Sequence, residues 1–226
     1  VGGLALAAVL VPYAPGLARG LLFGGLVLHG LAALAIIRAL IALPPEGRGV
    51  NPVWHLTFVG FIVGGLAAVP LGYTALAQGL IWATLPVAVV IWGISLVQLM
   101  SRVPPAPLRP LMAIHLAPAA LFSTVAGLLG QTTLSLSFAV LALAIMAALL
   151  VVGRWILAAG FSALWGAFTF PLVALASALL IRDGVFVWTG IGVLIVALGF
   201  VPWVAWRVLK MWPGGQLAAK TNAAEA

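Results

Sequence analysis

Apolar residues fill most of the chain in long blocks, separated by short breaks rich in glycine, proline and charge. Between those breaks the pattern predicts seven complete spans, at about 17–43, 52–71, 74–100, 108–129, 134–152, 155–181 and 185–208. Each is near or above the roughly 20 residues a helix needs to cross the hydrocarbon. The breaks are Pro44-Pro45-Glu46-Gly47-Arg48, Leu71-Gly72-Tyr73, Pro104 to Pro107, Gly130-Gln131-Thr132, Gly153-Arg154 and Asp183-Gly184. Links this short make successive helices antiparallel neighbours. The expected fold is therefore an all-α polytopic membrane protein built from antiparallel helical hairpins. Residues 1–13 form an apolar stretch too short to span and lack the charged start of a signal peptide. They read as the end of a partial N-terminal helix that begins outside the sequence, and a valine encoded by an alternative start codon would look identical. Residues 1–212 are expected to form one transmembrane domain, and 213–226 a flexible cytoplasmic tail.

Composition agrees with this class: 65% of the residues are hydrophobic and 6% charged. The formal charge of +7 would fit a nucleic-acid partner only if the cations clustered. Instead they lie near the ends of the apolar blocks, so they read as topology signals and no nucleic acid is expected. The chain has no cysteine, which excludes disulfides and thiolate metal sites. No catalytic, cofactor or metal-binding constellation is expected, and the protein does not read as an enzyme.

Counting cations by alternate sides gives an orientation. One side collects Arg38, Arg48, Arg102, Arg109, Arg154, Arg207, Lys210 and Lys220, and the other has Arg19 and Arg182. The positive-inside rule then places the C-terminus in the cytoplasm. Trp54, Trp155, Trp188, Trp203, Trp206 and Trp212 lie near span ends, as interfacial tryptophans do.

Prolines are unevenly placed within the spans. Pro70, Pro118 and Pro171 fall in alternate spans, while Pro86 is the mid-span proline of a returning helix. Proline inside a helix removes a hydrogen bond and clashes with the preceding turn, at a cost of roughly 3 kcal/mol. In lipid, such a break is tolerated where it is buried in protein or lines a cavity. Pro118 and Pro171 are therefore expected to kink their helices, and converging kinked helices would enclose a cavity.

Glu46, Asp183 and Glu225 are the only acids, and all lie in loops or the tail. Proton relays and most cation-coupled carriers place a carboxylate within the membrane. A route for anions suits these spans better, with hydroxyls, imidazoles and freed backbone donors supplying solvation.

The segment Trp165-Gly166-Ala167-Phe168-Thr169-Phe170-Pro171, together with His115-Leu116-Ala117-Pro118, resembles the tellurite-resistance and C4-dicarboxylate transporter family. That family includes the plant slow-type anion channels and yeast malate permease. The resemblance implies ten helices in five hairpins, odd-numbered helices around a central pore, a phenylalanine plug in the ninth helix, and homotrimers. It aligns 155–181 with the ninth helix, Phe170 with the plug, 52–71 and 108–129 with the fifth and seventh helices, and 1–13 with the end of the third. The expected partners are then small anions and the lipid bilayer, in a plasma membrane of the bacterial inner-membrane type.

A ring projecting into a narrow apolar pore excludes water and gates by its rotamer. Phe168 and Phe170 lie about 200° apart around a helix, so the two face different surroundings, with Phe170 the gate candidate and Phe168 a packing residue. Thr57, His115, Ser123, Thr124, Ser162 and Thr169 are candidate pore-lining groups, although serine and threonine also bond back to their own helix. Gly60, Gly64, Gly65 and Gly127 read as helix contacts. Two other functions stay open: a proton-coupled metabolite exporter, and a haem-bearing electron-transfer subunit using His29 and His115. Halides, nitrate, sulfite, tellurite and dicarboxylates all suit a pore of this character.

Overall fold

The computed structural model describes residues 1–44, 48–215 and 217. Glu46, Lys220, Glu225 and most of the expected tail at 213–226 lie outside the described residues. Among the described residues every regular element is helical. Six helical stretches are long and apolar enough to cross a membrane.

Two kinds of helix alternate. The regular α-helices are α2 (Pro15–Ala42), α4 (Thr74–Ser101), α6 (Thr132–Val151) and α9 (Val185–Met211). They match the expected spans to within a few residues and carry many exposed aliphatic side chains, among them Val27, Leu28, Leu31, Val89, Val90, Leu96, Ile195, Val196 and Leu198. Such faces suit lipid, which makes no demand for polar groups.

The other three stretches change pitch along their length. The first runs as a π-helix at His55–Val59, a 3-10 helix at Gly60–Gly64 and then α3 (Gly65–Ala68). The second is a 3-10 helix at Ala106–His115 followed by α5 (Leu116–Leu128), and the third a 3-10 helix at Ala163–Phe168 followed by α8 (Thr169–Leu180). Runs of 3-10 helix beyond three or four residues are uncommon, and mid-helix stretches mark hinges or strain. Ala106–Leu128 is the most enclosed stretch: 72% of its most apolar window is buried, against 11% for α2 and α9 and 22% for α4 and α6.

These stretches correct two expectations. The segment expected to span as 52–71 is an apolar helix of only His55–Ala68. The segment expected as one helix at 155–181 is interrupted: α7 (Gly153–Ile156) ends in turns, and the chain resumes at Ala163. Gly160 supplies the reversal at φ +75°, a conformation open to glycine because it lacks Cβ. The indole N–H of Trp165 donates to the Gly160 carbonyl at 3.0 Å, fixing the loop on the following helix.

The chain divides into two compact units. The first comprises Val1–Gln98 and Leu121–Ser137. Here α1 (Gly2–Leu10) packs on α2 and on the irregular segment ending in α3. Glycines make the close approach possible. A Cβ on Gly65 would lie 2.7 Å from Val125 Cγ1, and one on Gly64 would lie 3.2 Å from Leu26 Cδ2 and 3.4 Å from Leu80 Cδ1. Lipid supplies no hydrophobic drive between helices, so small residues that admit neighbouring side chains carry the packing. Ser123 and Ser135, both buried, link α5 to α6 within this unit.

The second unit comprises Leu99–Ala120 and the described part of Phe138–Ala226. Its centre is α8 packed against α9, with the 3-10 segments Ala106–His115 and Ala163–Phe168 lying side by side. Gly190 of α9 meets α8 so closely that a Cβ there would stand 3.0 Å from Leu179 Cβ and 3.1 Å from the Leu180 backbone nitrogen.

Candidate functional site

The two 3-10 segments of the second unit share one construction. In each, the pitch changes to α and proline stands third in the new helix: Pro118 in Leu116–Leu128 and Pro171 in Thr169–Leu180. This differs from the expected kink in a continuous α-helix. The first-turn N–H groups of an α-helix have no i−4 partner within it, so a proline there forfeits little. Both prolines are buried. In both cases the proline stands at the start of the α part, just after the change from 3-10 pitch.

Phe170 is the residue before Pro171 and is half-buried. The six residues Ala163–Phe168 rise about 12 Å at 2.0 Å each, and the α8 residues Thr169–Leu180 about 18 Å at 1.5 Å each. Together they match a hydrocarbon thickness of about 30 Å. Phe170 is then roughly 15 Å from the start, near the middle.

The two phenylalanines have different surroundings. Phe168 belongs to an aromatic cluster, with ring centroids 6.0 Å from Trp165 and 6.4 Å from Phe200. The cluster continues through Trp203 and Phe161, and the Arg207 guanidinium covers the Phe161 ring at 4.6 Å. Phe170 makes no ring contact with any described residue. The Phe168 ring is thus held by its neighbours, and no such stack restrains the Phe170 rotamer.

The hydroxyl candidates are occupied to different degrees. Thr169 Oγ1 donates to the Gly166 carbonyl at 2.7 Å, the i−3 back-bond available to threonine. Ser123 Oγ donates to the Ser135 carbonyl at 2.9 Å, so its proton is committed between helices. Thr124 is buried, Ser162 is half-buried in extended backbone just before the 3-10 turn, and Thr57 is half-buried in the π-helical segment. His115 is the half-buried last residue of its 3-10 segment. Thr57, Ser123 and Thr124 therefore belong to the first unit, and His115, Pro118, Ser162, Thr169, Phe170 and Pro171 to the second.

His29 packs edge-on against Phe61 at 4.4 Å between centroids. Its Nε2 is sealed from solvent, and a Cβ on Gly60 would lie 3.0 Å from it.

Arg109 has more structure around it than its place at a span end indicated. Its Nε donates to the Pro104 carbonyl at 3.0 Å and Nη1 to the Trp155 carbonyl at 3.1 Å, while the guanidinium lies 4.3 Å from the centre of the Trp155 ring. These acceptors are backbone carbonyls, which carry no signature in a sequence. Asp183, the only acid among the described residues, is exposed in the turn between α8 and α9.

The family model described as "voltage-dependent anion channel" matches residues 2–209. No curated protein matches the chain.

Proposed function

Because the chain belongs to the voltage-dependent anion channel family, a family of membrane channels and transporters for anions, we propose that it conducts small anions through a pathway gated by Phe170. The observation that carries this reading is the second unit's pair of 3-10 segments, packed together in spans without a carboxylate and opening into helices with proline third. Such a place offers an anion no fixed negative charge. Irregular backbone at membrane depth is tolerated where it is buried in protein or lines a water-filled cavity, as ion pathways do. Phe170 stands next to this change of pitch, near mid-membrane, and its ring is outside the aromatic cluster that holds Phe168. Rotation of that ring would open and close an apolar constriction.

The substrates are small inorganic anions, oxyanions of the tellurite or sulfite type, or C4-dicarboxylates. The membrane is the bacterial inner membrane with the C-terminus in the cytoplasm, a reading supported by the cation asymmetry. The family resemblance supports homotrimeric association. Ion-substitution currents from the complete gene product in planar bilayers test the proposal. The expected result is a reversal potential that follows the anion gradient. One that follows the cation gradient, or the absence of current, refutes it.

A further inference from the structure

Arg109 is fixed on three sides, with no counter-charge against it among the described residues. Two of its five N–H groups are held by the carbonyls of Pro104 and Trp155, and its plane lies over the Trp155 ring. The remaining N–H groups, one on Nη1 and two on Nη2, make no hydrogen bond to a described residue, and Nη2 is not sealed from solvent. No described carboxylate faces the group: Asp183 lies beyond the far end of α8, and Arg154, next to Trp155 in the chain, adds a second cation. Carbonyl acceptors orient the guanidinium without neutralising it. The 3-10 segment that carries Arg109 packs on the 3-10 segment leading to Phe170.

We infer that Arg109 is an anion-capture site on the side of the membrane that carries Arg102, Arg109 and Arg154. The inference rests on the anion-conduction reading and adds a residue that recruits the permeant ion. The N–H groups left on Nη1 and Nη2 are preset donors for a halide or oxyanion, and a cation with no described counter-charge at the mouth of a low-dielectric path raises the local anion concentration. The bland alternative is a mechanical clamp that only ties Trp155 to Pro104. Charge separates the two: lysine keeps the cation but lacks the planar fork and its stacking.

The test compares wild type, R109Q and R109K of the complete gene product in bilayers with chloride as the probe. Currents are recorded at about 0.01 M, where the Debye length is roughly 30 Å, and at about 1 M, where it is roughly 3 Å. R109Q is expected to lower low-salt conductance roughly threefold or more, only for anions entering from the Arg109 side, and to match wild type at high salt. R109K is expected to keep most of the low-salt current. Equal losses in both variants at both salt levels would make Arg109 a clamp and overturn the inference, as would an R109Q current unchanged at low salt. If R109Q does not fold, wild type alone decides: inward and outward currents in symmetric chloride must become unequal as salt falls, and symmetry at about 0.01 M overturns the inference. A wild type without anion current overturns the conduction reading itself, whereas a conducting wild type with an unaltered R109Q removes only this site.

Discussion

Ser123 and Ser135 exchange hydrogen bonds across α5 and α6: each hydroxyl donates to the other's backbone carbonyl, at 2.9 and 2.7 Å. Both residues are buried. Interhelical bonds of this kind average about 0.6 kcal/mol in membranes and reach about 1.7. Ser123→Ala is expected to lower stability within that range, read as thermal unfolding in detergent. Ser137, whose exposed hydroxyl donates to Thr133 within α6, is the control, and Ser137→Ala should melt with wild type. Indistinguishable melting of Ser123→Ala and Ser137→Ala would refute a role for the exchange.

Gly65 faces Val125 with no room for a methyl group, since its Cβ would stand 2.7 Å from Cγ1 and 3.0 Å from Cγ2. A β-branched side chain turns aside poorly. Gly65→Ala should cost about 1–3 kcal/mol through overpacking. Val125→Ala opens space at the same point, so adding it should recover part of the loss. The measurement is a double-mutant cycle, and additive losses would contradict the contact.

Phe168 and Phe170 should respond in opposite ways to truncation. Phe168→Ala removes a member of the Trp165, Phe200 and Trp203 cluster, with an expected loss of about 2–4 kcal/mol in stability and no gain in current. Phe170→Ala should leave stability closer to wild type and raise anion current several-fold, as removal of an apolar plug does. Single-channel recording beside thermal melts distinguishes the pair. An increase in Phe168→Ala alone would move the gate to the other ring.

Pro171 provides a further check. A proline breaking a continuous helix would cost about 3 kcal/mol, and its replacement by alanine would return much of that. As the third residue of α8, Pro171 should instead change stability by less than about 1 kcal/mol on replacement by alanine. A gain of several kcal/mol would restore the mid-helix kink.

Much of the helical layout was legible because hydropathy and chain breaks carry it. The span expected at 74–100 is α4 at Thr74–Ser101, and 185–208 is α9 at Val185–Met211. Pitch was not legible. A 3-10 turn and an α turn can hold the same apolar residues, so Ala106–His115 reads like any other apolar stretch. The interruption after Ile156 was hidden because Leu157, Ala158 and Ala159 continue the apolar run although they form turns, which the positive φ of Gly160 completes. At the candidate site, the aromatic-proline segment was visible as a motif, and the separation of Phe168 from Phe170 followed from helical geometry. Arg109 read as a topology signal because its partners are carbonyls, which every residue possesses.

Any change of winding in the 3-10 segment before Phe170 would move its ring, because the two are continuous in the chain. A 3-10 helix advances 120° and about 2.0 Å per residue, an α-helix about 100° and 1.5 Å. Rewinding the six residues Ala163–Phe168 to α pitch would turn Phe170 by about 120° about the helix axis and draw it about 3 Å toward Ala163. A shift of backbone winding remote from the ring would thereby act as a screw, reorienting the aromatic side chain without any change in its own rotamer.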